Sequence, residues 1–170
     1  MGLRSLPVGQ SQVDDPAFSP DGKTLAYQAG PKSDLDGGSL FTIGVNGGAP
    51  KALTESEPGV DGDPAWSPDG KTIAFRRRVP DSTRNGNLDV YVSPVDRSRA
   101  AQVLLDGAPD EQDPAWSPDG GQLLVKSDRT SASSDESGPP QIWLLDADGG
   151  NQQRLIILGA EGETGPPAWN

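Results

Sequence analysis

The chain has 170 residues, carries 25 Asp and Glu against 14 Lys and Arg for a net charge of -11, and contains no histidine and no cysteine. Those absences exclude a Ser-His-Asp triad, a thiol nucleophile, a His-ligated metal and a thiolate zinc site, and the acidic balance argues against nucleic acid, which binds through clustered cations. With 22 Gly, 17 Pro and 32% hydrophobic residues, the chain reads as turn-rich, its core spread thinly between repeated units rather than gathered in a helical bundle.

In chain order, Leu3-Arg4-Ser5-Leu6 stands ahead of Asp15 much as Ala52-Leu53 stands ahead of Asp63, and so takes the place of the last strand of a preceding unit. An octet then runs from Asp15 to Gly22 as Asp-Pro-Ala-Phe-Ser-Pro-Asp-Gly and returns with Trp for Phe at Asp63 to Gly70 and Asp113 to Gly120. A shortened copy, Pro167-Ala168-Trp169-Asn170, follows. The period is about fifty residues, a length that fits the blades of a propeller.

Within one unit, Ala65-Trp66-Ser67 predicts a first strand and Lys71-Thr72-Ile73-Ala74-Phe75, rich in β-forming types, a second. Third strands are expected around Leu40-Phe41-Thr42, Val90-Tyr91-Val92 and Ile142-Trp143-Leu144. Turns follow at Asn46-Gly47-Gly48, Asp96-Arg97 and Asp148-Gly149-Gly150, and fourth strands at Ala52-Leu53, Val103-Leu104-Leu105 and Arg154-Leu155-Ile156. The expected fold is an all-β propeller of four-stranded antiparallel blades. Three blades span residues 15–62, 63–112 and 113–166, with partial blades at 1–14 and 167–170 and an insertion at Ser131 to Pro140.

The repeated polar residues divide into two groups. Pro20, Asp21 and Gly22, Pro68, Asp69 and Gly70, and Pro118, Asp119 and Gly120 form a turn, with proline presetting φ, aspartate suiting the next position and glycine taking the left-handed one. The leading Asp15, Asp63 and Asp113, each just before a proline, read either as caps of a loop pointing to solvent or as a functional group. With Asp14, Asp61, Asp110 and Glu111 they stand ahead of the expected first strands. If that strand lines a central channel, they ring its mouth and focus a negative potential that attracts a calcium ion or a basic peptide.

Three other groupings read as structure. All nine aromatic residues fall into repeat columns: Phe18, Trp66, Trp116 and Trp169, then Tyr27 and Phe75, then Phe41, Tyr91 and Trp143. They are expected to pack blade against blade. Arg76-Arg77-Arg78 reads as a solvated connection between second and third strands. Asp146 to Asn151 opens like a calcium loop, but Gly150 and Ile157 stand where ligands belong; a hairpin turn with Gly149-Gly150 at positive φ explains it. No Gly-x-Ser-x-Gly elbow or phosphate loop is present. Carboxylate pairs remain as the residue types an enzyme could use.

The octets, the Thr-Leu-Ala-Tyr and Thr-Ile-Ala-Phe strands and the run Gln141 to Leu155 together resemble the repeats of the TolB-like propeller family, from about Asp15 to Asn170. Gly121 departs from the lysine usual after the octet. The resemblance implies a six- or seven-bladed ring acting as a non-catalytic platform for a protein or peptide partner, with calcium as an occasional channel ligand. It also implies an extracytoplasmic or periplasmic address. A second implied role is the gating propeller of a prolyl-oligopeptidase-type serine peptidase whose catalytic domain lies elsewhere. Three blades do not close a ring, so further blades in a longer chain, or a homodimer, are expected to complete it. There is no signal-peptide pattern and no apolar run long enough for a membrane span.

Overall fold

A computed structural model describes residues 12–30, 38–54, 59–78, 87–105, 107–131, 137–155 and 167–169. The first blade consists of β1 (Gln12–Phe18), β2 (Thr24–Gly30), β3 (Ser39–Gly44) and β4 (Lys51–Ala52). The second consists of β5 (Val60–Trp66), β6 (Thr72–Arg78), β7 (Leu88–Pro94) and β8 (Gln102–Leu105), and the third of β9 (Glu111–Trp116), β10 (Gln122–Arg129), β11 (Ser137–Asp146) and β12 (Gln153–Leu155). Each blade is an antiparallel sheet in chain order, so every strand pairs with its sequence neighbour. Ser137 to Pro140, expected as insertion, belong to β11; residues 132–136, 1–11 and Asn170 lie outside the described residues.

The Ser-Pro-Asp-Gly turn joins first to second strand identically three times. The serine hydroxyl donates to the aspartate Oδ1 at 2.7, 2.7 and 2.6 Å for Ser19–Asp21, Ser67–Asp69 and Ser117–Asp119. That same oxygen accepts the backbone N–H of Lys23, Lys71 and Gly121. Gly22, Gly70 and Gly120 close the turn at φ 67, 69 and 74°, a conformation that a β-carbon penalises. The serine hydrogen bond, foremost, holds the carboxyls of Asp21, Asp69 and Asp119 below their ordinary range.

The core lies between blades. Ala26, Leu40 and Leu53 of the first blade pack with Ile73 and Phe75 of the second. Ala74, Val90 and Leu105 of the second pack with Leu123, Val125, Trp143 and Leu145 of the third. The aromatics divide their work. Tyr27 stacks on Phe41 and Phe75 on Tyr91 across neighbouring strands of the same blade, both at 5.9 Å between centroids. The tryptophans of the Phe18 column instead make hydrogen bonds to the preceding blade: the indole N–H groups of Trp66, Trp116 and Trp169 donate to the carbonyls of Ala17, Ala65 and Ala115, each at 3.1 Å.

Candidate functional site

The leading aspartates lie inside the first strands, not ahead of them, because β1, β5 and β9 begin at Gln12, Val60 and Glu111. Pairing runs Gly62↔Arg76 and then Ala65↔Ala74, so Asp63 and Pro64 together oppose Phe75 alone. The same irregularity falls at Asp15-Pro16 and Asp113-Pro114. Asp15, Asp63 and Asp113 adopt φ of 51, 51 and 52°. Aspartate tolerates the left-handed region better than most residues, and proline, lacking an N–H, suits a bulge where the ladder is interrupted.

The bulges place the three carboxylates along adjoining first strands, with β1 beside β5 and β5 beside β9. Asp15 Oδ2 accepts the backbone N–H of Asp63 at 3.2 Å, across the blade boundary. Arg76 Nε lies 2.6 Å from Asp63 Oδ2, its Nη2 lies 3.9 Å from Asp15 Oδ2, and Lys126 Nζ lies 4.0 Å from Asp113 Oδ2. Burial pushes the Asp63 carboxyl up to about 6, Arg76 opposes this, and Asp15 and Asp113 both reinforce it. The three groups therefore share one field. Among the described residues no cluster of three or more carboxylates is disposed to hold a metal ion.

Arg76 and Arg77 correct the expectation of a solvated connection. Both belong to β6. Arg76 reaches Asp15 only because Gly62 lacks a side chain: a β-carbon there would come within 2.8 Å of Arg76 Nη2 and 3.0 Å of Asp15 Oδ2. Arg77 turns to the opposite face and forks onto Asp61, with Nε to Oδ1 at 2.6 Å and Nη2 to Oδ2 at 2.8 Å.

Asp61 and Glu111, expected in the ring, are buried between blades instead, at 1% and 0% exposure. Glu111 Oε1 accepts from Ser127 Oγ at 3.1 Å and from Arg129 Nε and Nη2 at 3.1 and 2.6 Å. Its Oε2 has no partner among the described residues. Arg129 and Lys126 escaped notice in the sequence, where Arg76 and Arg77 read only as part of a connection. The readable signal was the column after the second-strand aromatic position, where Gln28, Arg76 and Lys126 align.

The Asp146 loop is a turn. Gly149 N–H donates to the Asp146 carbonyl at 2.8 Å, and Asn151 Nδ2 donates to Asp146 Oδ2 at 2.5 Å. Positive φ falls on Gly149 and Asn151, at 87 and 48°, so Asn151 rather than Gly150 supplies the second left-handed residue.

Four-stranded meanders joined side by side at their first strands define a β-propeller. The sequence matches the family model described as the TolB beta propeller domain over residues 8–129, and the chain belongs to that family. Among solved structures it is similar to TolB from Acinetobacter baumannii, with 26% identity and a TM-score of 0.69, covering 87% of this chain and 33% of that one. It is also similar to a putative TolB from Agrobacterium tumefaciens, with 22% identity and a TM-score of 0.62, covering 86% and 62%. A structure from a study of two prolyl endopeptidases is similar at 19% identity and a TM-score of 0.58, covering 85% and 22%. The last two share the fold alone. The chain thus spans less than two thirds of the length of these structures. No curated protein sequence matches it. Among the described residues no helix is long and apolar enough to cross a membrane.

Proposed function

We propose that this chain is a protein-binding part of a TolB-type propeller, working outside the cytoplasm, whose inner edge receives a basic segment of an extended peptide. The supporting observation is the repeated left-handed bulge, which holds Asp15, Asp63 and Asp113 at equivalent places on adjoining first strands. An arriving lysine or arginine would exchange with Arg76 and Lys126 for carboxylates already held in position, so little ordering would be needed on binding. The channel-mouth role rests on that geometry and no bond-making chemistry is assigned to it. Calcium is the competing occupant. The cations Arg76 and Lys126 beside these aspartates favour a peptide, because an arriving lysine or arginine replaces them like for like.

The test is fluorescence anisotropy of a labelled Lys/Arg-rich peptide against the intact protein and an Asp15→Asn, Asp63→Asn, Asp113→Asn variant. Affinity should fall about tenfold or more, the scale of losing one or two charge-assisted hydrogen bonds. Equal affinity for both proteins sinks the reading. A calcium-dependent rise in melting temperature, lost in the variant, would hand the site to the metal instead.

A further inference from the structure

Arg77 and Arg129 do the same work from different register positions, Arg77 standing opposite Asp61 and Arg129 two residues beyond Ser127, which stands opposite Glu111. Each binds the buried carboxylate of its first strand, Asp61 or Glu111, and lies over the third-strand aromatic, with Arg77 Cζ 4.9 Å from the Tyr91 centroid and Arg129 Cζ 5.8 Å from that of Trp143. Around Arg129 the space is closed. Its Nη1 donates to Gln152 Oε1 at 2.7 Å, and Leu145, further along β11, is fully buried in the core. The turn before β12 presses on the second blade so closely that a β-carbon on Gly149 would lie 2.4 Å from the Leu104 carbonyl oxygen.

The second blade departs at all three of these positions. Ser93 stands for Leu145, Ala101 for Gln152 and Arg97, at φ 57°, for Gly149. The equivalences are fixed by pairing and turn contacts: Ser93↔Ile73 matches Leu145↔Leu123, and Arg97 N–H bonds the Pro94 carbonyl as Gly149 N–H bonds that of Asp146. The result is a cleft of about 300 Å³ at the boundary of the first and second blades, with Arg77, Ser93, Arg97, Arg99, Ala101 and, from the first blade, Thr54 on its walls. Asp61 occupies two of the five N–H donors of Arg77. Asp96 is the one carboxylate of the turn and is turned to the backbone N–H of Ser98 at 2.9 Å.

We propose that this cleft is an oxyanion-binding site, in which a carboxylate or phosphate group takes the place that the Gln152 side chain fills at the next blade boundary. The chemistry is that of an arginine fork for a planar or tetrahedral oxyanion; the buried Ser93 hydroxyl on the cleft wall donates to the Pro94 carbonyl at 3.4 Å. Three arginines line the cleft in a chain of net charge -11. At physiological ionic strength the remote carboxylates are screened within about 8 Å, so the local cations decide what enters. The cleft is separate from the aspartate bulges, and its occupation neither requires nor excludes a peptide there.

The intact chain is titrated with inorganic phosphate, with acetate and with chloride at matched ionic strength, following the melting temperature. A saturable rise with phosphate or acetate beyond that with chloride is expected. The salt that produces it identifies a phosphorylated or a carboxylated ligand. Ala101→Gln, which supplies the missing cap from within, and Arg99→Gln, at an exposed rim position, should each weaken the response about tenfold, one lost charge-assisted bond, with the anion-free melting temperature of Arg99→Gln unchanged. No response beyond chloride, or an undiminished response in Arg99→Gln, overturns the proposal. Should Ala101→Gln fold poorly, Arg99→Gln alone decides.

Discussion

The two blade boundaries share one backbone plan and differ in how they are filled. Between the second and third blades, Glu111, Arg129, Gln152, Trp143 and Leu145 form a closed layer of charge and hydrocarbon. Between the first and second, Asp61 and Arg77 keep the ion pair, while Ser93, Arg97 and Ala101 leave a cleft where Leu145, Gly149 and Gln152 stand at the other boundary. Exact repetition makes a propeller stable; a departure confined to one boundary marks where specific binding can be added without altering the scaffold.

The largest effect expected from this comparison follows removal of Arg129. Glu111 is wholly buried and would be left charged without its partner, a situation that typically costs about 3–5 kcal/mol. The penalty depends on pH. Burial raises the Glu111 carboxyl to about 7, Arg129 opposes that shift, and Asp89 adds to it. A carboxyl whose folded pKa is raised binds its proton more tightly in the folded state, so its contribution to stability is greatest below the unfolded value and is lost as pH rises through the folded one. Removing Arg129 raises the folded value further. Arg129→Ala should therefore cost least near pH 5, where Glu111 is protonated, and up to about 2 kcal/mol more at about pH 8.5, roughly 1.5 pH units above the folded value at about 1.36 kcal/mol each. Urea unfolding at both values measures it. A cost independent of pH would show that Glu111 is not the group left exposed to the loss.

The second contrast concerns the turns into β12 and β8. Gly149→Ala sets a β-carbon against the Leu104 carbonyl at a φ of 87° and should destabilise by about 1–3 kcal/mol, the usual scale of strained backbone. At the open boundary the reverse change, Arg97→Gly, relieves a left-handed non-glycine residue and should be neutral or stabilising by about 1 kcal/mol. Thermal unfolding of the two variants separates them. Equal losses would mean that both turns are under the same packing constraint, and the account of the cleft would fail with it.

What the sequence disclosed and what it hid have a common physical origin. Turn formation by Ser-Pro-Asp-Gly depends on contacts two to five residues apart, and third-strand aromatics recur at a fixed place in each unit, so strands, blades and propeller were legible. The ion pairs were not. Reading Asp61 with Asp63, and Glu111 with Asp113, as one acidic group assumed that carboxylates two residues apart share an environment. In a regular strand they would share a face. The left-handed bulge breaks that regularity, leaving Asp63 at the inner edge and Asp61 buried against Arg77. The arginine run was misread for a related reason: three consecutive cations look like a loop until β6 sends Arg76 and Arg77 to opposite faces.

The smallest effect belongs to the feature common to both boundaries. Trp66 and Trp116 each donate an indole N–H to an alanine carbonyl of the preceding blade at 3.1 Å, and Trp169 repeats the contact on the third blade. Phenylalanine preserves most of the ring and removes the donor, so Trp66→Phe and Trp116→Phe should each cost about 0.5–1.5 kcal/mol, the net worth of one hydrogen bond. The sequence supplies its own precedent in Phe18, which holds the same repeat position and is 66% exposed. Chemical denaturation of the two variants should give costs that agree within about 0.5 kcal/mol, as expected for well-separated equivalent sites. Agreement would place the difference between the boundaries at the cleft and its filled counterpart. A larger cost for Trp116→Phe would show instead that the inner edge is already tighter between the second and third blades, and that the open cleft is one symptom of a looser boundary.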